Sequence, residues 1–420
     1  MDRVQEIRKA LEGFDWTQHG PAFQEVTHSI HKYPAKLIPQ IPSLFISKFC
    51  EPGDTVLDPY CGSGTTLLEA KRQGYNSIGF DLNPLARFIS EMKTRGLKIT
   101  VTKKEIAKFK KGDFNWKENK NYTLDLPFEE IKKYFPLDTI WQINHYLQMI
   151  NNCEISNQTK DILKLAISDI LRKVSFTRLG DFKIYMIPKT ERKNFYIDPK
   201  KEFLEKIDSI IEKMTELRKE TYPNVRVAEV SIFDYNSSSK DPMPSKVTNE
   251  RIKLVMTSPP YGDSRTTVAY GEFSWFSNRL LKLYPDVKQG IVDKELMGGR
   301  NRNTRLRKIG SLHSVLKKIN RKRRKEVASF FYEYQLSINN ISKILLPGGI
   351  CCYVVANRNV DGQVIPMDEF TKNYFEECGL VHVGTYTRDI IGKTLARRNN
   401  KTDLMNKEII VVMYKPNLSE

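Results

Sequence analysis

At 420 residues the chain exceeds one ordinary core of ~100–200 residues, so two or three packed units, or one large domain with insertions, are expected. Its 40% hydrophobic, 28% charged and 10% aromatic residues exclude collagen-like, low-complexity and largely disordered chains. The net charge is +18, and two thirds of that excess lies in Arg300–Lys325, where twelve basic residues stand with no acid.

The N-terminus, Met1-Asp2-Arg3-Val4-Gln5-Glu6, has no apolar signal core, so a cytoplasmic protein is expected. Thr55–Tyr60, entered from Pro52-Gly53-Asp54, has the apolar run of a buried strand. Cys61-Gly62-Ser63-Gly64 follows, and Thr65–Gly74 carries helical apolar spacing. Ser77–Leu82 reads as a second strand ending in Asp81, and Pro84 opens a helix at its first turn. A strand–helix–strand–helix series with a Gly-rich crossover predicts an α/β chain with a parallel, doubly wound sheet.

From Val101 to Tyr222 the pattern is charged and helical, including Asp161–Val174 and Lys201–Lys219. Strands resume at Val225–Phe233 and Ile252–Thr257, the second leading into Ser258-Pro259-Pro260-Tyr261. The basic segment interrupts the sheet again. A helix over Val327–Leu345 and strands at Ile350–Ala356, Leu380–Tyr386 and Glu408–Tyr414 complete the core. The expected segments are 1–100 (first core half), 101–222 (helical insertion), 223–262 (core strands and turn), 263–325 (basic insertion) and 326–420 (last core part). Ile350–Ala356, the longest apolar run, is far short of the ~20 residues that span a membrane. Six cysteines without a Cys-x-x-Cys pair disfavour a disulfide framework and a compact zinc site, so no metal is expected.

Gly62 and Gly64 let a ligand approach the backbone where a helix begins, an arrangement that favours an anion. Leu67 stands where a third glycine of a dinucleotide fingerprint would fall, which counts against a nicotinamide or flavin site. Asp81, about twenty residues beyond the first strand, suits a ribose diol; helix capping is its structural alternative. Two prolines in succession remove two donors and fix a stiff turn. Such a turn holds the Ser258 hydroxyl and the Pro259 carbonyl as acceptors for a ring amine, with Tyr261 as a stacking face.

Leu57-Asp58-Pro59-Tyr60-Cys61-Gly62-Ser63-Gly64-Thr65-Thr66 and Thr257-Ser258-Pro259-Pro260-Tyr261 resemble the cofactor and catalytic motifs of amino-directed DNA methyltransferases, which use S-adenosylmethionine. His31-Lys32-Tyr33-Pro34-Ala35-Lys36 resembles the segment that completes their methionine pocket. The resemblance implies a Rossmann-like methyltransferase fold. It also implies that Asp58, Tyr60, Cys61, Gly62, Ser63 and Gly64 wrap the methionine end of the cofactor. Thr65 and Thr66 would meet its carboxylate, Tyr33, Pro34 and Lys36 would close the pocket, and Asp81, with Leu82 and Asn83 beside it, would hold the ribose. Asp234 is either a partner for the adenine amino group or a loop cap.

Within that family a first-position Ser usually accompanies methylation of the cytosine 4-amino group, and Asp or Asn adenine N6, so Ser258 points to cytosine with adenine open. The usual Pro-Cys pair of cytosine-C5 enzymes is absent. A flipped-out base would present its amine to Ser258 and Pro259 while Pro260 and Tyr261 shape the turn. Asp263 or solvent then takes the proton. Arg300, Arg302, Arg305, Arg307, Lys308, Arg321, Arg323 and Arg324 are the expected contacts to double-stranded DNA, a solvated basic face being the alternative. A restriction–modification setting with a partner endonuclease is implied, and no membrane. The rival readings are an RNA amino-group methyltransferase and a DNA-binding protein with an inactive fold.

Overall fold

The computed structural model describes residues 2–17, 28–96, 98–115, 117, 127–220, 228–262, 268–284, 293, 296, 306, 310–390 and 407–417. Helices α1 (Arg3–Leu11) and α2 (Gln40–Phe49) precede β1 (Thr55–Asp58), α3 (Thr65–Arg72), β2 (Asn76–Phe80) and α4 (Pro84–Thr94). The segment expected to be helical holds α5 (Ile99–Lys110), α6 (Phe128–Ile131), α7 (Leu137–Asn152), α8 (Asn157–Ile170), α9 (Lys189–Arg192) and α10 (Pro199–Glu220). Next come β3 (Val230–Phe233), α11 (Ser245–Thr248), β4 (Ile252–Thr257) and α12 (Tyr270–Leu280). The chain continues through α13 (Leu312–Lys318), α14 (Arg321–Ile344), β5 (Ile350–Val355), β6 (Arg358–Val360) and β7 (Gln363–Ile365). It closes with α15 (Met367–Glu377), β8 (Val381–Asp389) and β9 (Lys407–Tyr414).

The described strands form a seven-stranded sheet in the order β3-β2-β1-β4-β5-β9-β8, with β6 and β7 as a separate hairpin. β1 to β5 run parallel, and β9 lies antiparallel to both β5 and β8. From the central β1 the chain moves outward through β2 and β3 and then returns to the other side as β4. The direction therefore reverses between β1 and β4, paired Val56↔Leu254 and Leu57↔Val255. In open parallel sheets this reversal leaves a crevice beyond the carboxyl ends of the two strands. The Rossmann-like architecture expected from sequence is present.

Parallel strands covered on both faces are apolar throughout, and β5, Ile-Cys-Cys-Tyr-Val-Val, is buried at every position. Its Ile350, Cys352 and Val354 join α1 and α2 on one face. Cys351, Tyr353 and Val355 join α13, α14 and α15 on the other. A further core fills the helical segment, uniting Leu85, Ile89 and Met92 of α4 with α5, α7, α8, α10 and α12. α4 thus couples the insertion to the sheet.

Several boundaries differ from expectation for local reasons. β1 stops at Asp58, because its side chain accepts from Tyr60 N–H (3.1 Å) and turns the chain. β2 ends at Phe80, before Asp81. The helix expected over Val327–Leu345 begins six residues earlier, since Asn320 caps it by accepting from Arg323 N–H (2.9 Å). Arg321–Lys325 therefore make its first turn. The hairpin of β6 and β7 was not anticipated, although Asp361-Gly362 signals it: both have positive φ (51° and 76°), as a type I′ turn requires.

Candidate active site

The crevice is built from the ends of β1, β2 and β4. Asp58, closing β1, accepts from the Thr257 hydroxyl at the end of β4 (2.6 Å), which ties the two strands across the reversal. Burial pushes the Asp58 carboxyl up to about 6. The turn after β1 folds back so that Gly62 N–H donates to Asp81 Oδ2 (2.9 Å), while Asn83 N–H donates to Oδ1 (2.7 Å). Burial also lifts Asp81 to about 6. Helix capping falls to Asn83, which accepts from Leu85 N–H, so Asp81 is not the cap of α4. Gly64 precedes α3 at φ 77°, and a Cβ there would overlap the Ser90 hydroxyl. That position demands glycine on both counts.

A cavity of about 1120 Å³, its open mouth included, runs from this turn to the diproline corner. Asp58, Tyr60, Cys61, Gly62, Ser63 and Thr65 line its floor, and Asp81, Leu82 and Asn83 one side. Tyr33, Lys36, Ser258 and Pro260 also line it. Among the residues expected at the site, Pro34, Gly64, Thr66, Pro259 and Tyr261 do not line it. Thr66 is buried beneath, its hydroxyl donating to the Met256 carbonyl (3.3 Å). Asp234 is also outside, paired with Arg87 (2.9 Å). Instead Tyr235, Asn236, Ser237 and Ser238, next in the chain, line the wall. Asn340 of α14 clamps that loop by donating to the Ser237 and Ser239 carbonyls (3.0 and 2.8 Å).

Other lining residues were not anticipated. Phe330, Glu333 and Tyr334 project from one face of α14 at i, i+3 and i+4, with the two rings stacked (centroids 5.9 Å apart). Tyr270 enters from α12 and stacks on Tyr33 (6.0 Å). Helical spacing marks the first group, but nothing local shows which core it faces. The expected DNA contacts Arg300, Arg302, Arg305, Arg307 and Lys308, and the proton acceptor Asp263, lie outside the described residues.

At the diproline corner the Tyr261 hydroxyl donates to Glu408 Oε1 (2.9 Å) and sits 3.0 Å from Ser258 Oγ. Glu408 of β9 pairs in turn with buried Arg388 of β8 (3.2 Å). A carboxylate only accepts, so the Tyr261 proton goes to Glu408 and the Ser258 proton goes to Tyr261. The Ser258 lone pairs are left for a donor.

The cavity suits a nucleoside sulfonium that carries an α-carboxylate. A Cβ at Gly62 would meet only the Tyr33 ring (3.8 Å), so the floor is open to close approach. The Asp81 oxygens, each with one N–H partner, keep acceptor capacity for a ribose diol. Asp58 and Asp81 supply negative charge to the lining. Lys36, lowered by burial to about 8, also lines the cavity and offers a cation to a carboxylate. Among the described residues no His, Cys, Asp or Glu cluster suits a metal ion.

A family model described as a DNA methylase, of the N6/N4 class, matches residues 14–92. The chain is 29% identical to the Type II methyltransferase M.MvaI of Kocuria varians, over 93% of this chain and 91% of that protein. It is 25% identical to the Type II methyltransferase M.BsoBI of Geobacillus stearothermophilus, over 86% and 79%. The solved rRNA methyltransferase aviRa of Streptomyces viridochromogenes overlays at a TM-score of 0.34 and 10% identity, covering 96% of this chain and 94% of that one. With the family match spanning the glycine turn and Asp81, and a cavity whose lining suits S-adenosylmethionine, the chain is similar to the amino-directed DNA methyltransferases.

Proposed function

We propose that the protein methylates the exocyclic 4-amino group of cytosine in double-stranded DNA, as the modification half of a Type II restriction–modification pair. The observation that carries this is the cavity joining the glycine turn to Ser258, whose hydroxyl proton is directed away through Tyr261 to Glu408. S-adenosylmethionine, when bound, supplies an electrophilic methyl group. The chain's own residues prepare the acceptor.

An exocyclic amine is a weak nucleophile because its lone pair is delocalised into the ring. Ser258 Oγ, which lines the cavity, accepts one amine proton and favours a pyramidal nitrogen with its lone pair exposed; the Pro259 carbonyl, outside the lining, takes the second only if the corner shifts when the base enters. Much of the acceleration then comes from holding that nitrogen in line. A base inside a duplex cannot enter the cavity, so it is extruded at a cost of a few kcal/mol. Tyr270, which lines the cavity, takes the place expected of Tyr261 as an aromatic wall for the base. Cofactor contacts fall to Tyr33, Lys36, Asp58, Tyr60 to Ser63, Thr65, Asp81 and the Tyr235–Ser238 loop. The helical segment 101–222 and the basic segment 263–325 serve recognition.

The test is digestion of duplex DNA to nucleosides after incubation with labelled cofactor. N4-methylcytosine is the expected product. N6-methyladenine would overturn the target while retaining the enzyme class, and label confined to RNA would overturn the DNA reading.

A further inference from the structure

The helical segment carries a surface that its own fold does not explain. After α8 the chain forms a narrow loop closed by a bridge between Thr177 and Met186 and by Arg178 N–H donating to the Tyr185 carbonyl (2.7 Å). Arg172, largely buried, reaches into it and donates to the carbonyls of Asp181, Lys183 and Phe182 (2.6, 3.1 and 3.2 Å). The buried Ile184 donates its N–H to Glu272 of α12 (3.0 Å), two residues from Tyr270 in the cavity wall. The loop is therefore rigidly held and fixed to an element of the active site.

Its tip nevertheless points apolar side chains at solvent: Leu179 is 58%, Tyr185 50% and Phe182 37% exposed. Apolar groups held outward on a braced loop mark a binding surface. Arg178 stands among them, and Lys183, Lys189, Arg192 and Lys193 follow, against only Asp181 and Glu191 over the same stretch. This charge balance fits a polyanion and repels a second copy of the chain.

We propose that the loop Thr177–Met186 is a DNA-contact element whose Phe182 and Tyr185 pack on the bases beside the place vacated by the target. The proposal rests on the reading that the target base leaves the helix. Apolar side chains enter opened base steps, and aromatic stacking on bases tolerates any sequence. The loop supports the opened duplex, while the basic run binds phosphates.

The test uses the full chain and its Phe182→Ala/Tyr185→Ala variant, both positions being exposed. The methylated site is first mapped in a mixed DNA pool, then placed in one duplex with the target paired and one with it mispaired. The variant is expected to lose about tenfold or more in kcat/KM on the paired duplex. On the mispaired duplex it is expected to match the parent within roughly threefold, because extrusion there needs little help. Cofactor affinity should be unchanged. Parent-like kcat/KM on the paired duplex, or equal losses on both, would overturn the proposal. A parent enzyme no faster on the mispaired duplex removes base extrusion itself, and the proposal with it.

Discussion

Ser258 serves a substrate amine only if its own proton is directed elsewhere. The hydroxyl of Tyr261 and, beyond it, the carboxylate of Glu408 provide that direction. Ser258→Ala should lower kcat by roughly 10–100-fold, the worth of a ~1.5–3 kcal/mol hydrogen bond to a group gaining charge, with cofactor affinity intact. Tyr261→Phe keeps the ring and removes the relay, so its kcat should fall by less and its cofactor affinity not at all. Single-turnover rates and cofactor titration check both; an unchanged rate in Ser258→Ala would remove Ser258 from the mechanism.

The same scale decides a pH dependence. Asp58 and Asp81 titrate near 6 in the folded protein, above the ordinary carboxylate range, because burial disfavours their charge. Between about pH 4 and 6 the folded chain then binds more protons than the unfolded one. Their contribution to stability is present in acid and lost as pH rises through about 6. Cofactor affinity should run the other way, since a ribose diol needs the Asp81 carboxylate as an acceptor. Calorimetric titration from about pH 5 to 8 should show affinity falling below about 6. A flat profile would take Asp81 out of ribose binding.

Among the elements, α14 joins two tasks. Its middle places Phe330, Glu333 and Tyr334 in the cavity wall, and its first turn is Arg321-Lys322-Arg323-Arg324-Lys325. Cations there oppose the helix dipole, which would cost several tenths of a kcal/mol each. Arg323 pairs with Glu326, and Arg324 donates to the Lys317 and Ile319 carbonyls (2.9 and 3.2 Å). Replacing Arg321, Lys322 and Lys325 by Gln should leave Tm unchanged or slightly higher. DNA affinity should weaken, and its salt slope flatten by roughly 0.9 for each phosphate no longer neutralised. The same salt slope in the variant would make the run a solvated face.

At the scale of the molecule, the helical segment also supports the cofactor pocket. His31 bonds Ser168 of α8 (2.8 Å), and Lys32 N–H donates to Asp169 (2.6 Å), which also pairs with Lys206 of α10 (2.7 Å). These bonds seat the stretch that delivers Tyr33 and Lys36. His31 is buried and lowered to about 4, so it stays neutral and acts as a fixed strut. Asp169→Asn should raise the cofactor Kd by about tenfold, one charge-assisted bond's worth, without loss of helix content by circular dichroism. Asp161→Asn, at the half-exposed pair with Arg95, should leave Kd unchanged. Equal Kd values for the two variants would reduce the insertion to packing.

How much was legible follows the range of the interactions. The glycine turn, Asp58, Asp81 and the diproline corner announce themselves because each is a local backbone demand: a positive φ, a strand end, two missing donors. The helix start at Pro84 and the parallel core strands are likewise set by short-range patterning. The Tyr235–Ser238 wall, the aromatic face of α14 and Tyr270 were not legible. Each depends on which surface a helix or loop presents after strands far apart in sequence have paired. Glu408, 147 residues from Tyr261, reaches it only because β9 lies beside β5 in the finished sheet. Asp234, expected as a possible ligand partner, was instead taken by Arg87 of α4. Local sequence therefore determined the chemistry on offer, through backbone constraints that need no partner. The tertiary structure alone decided which acceptors, rings and cations share one cavity, because hydrogen bonds and packing act over a few ångströms and only folding brings distant residues that close.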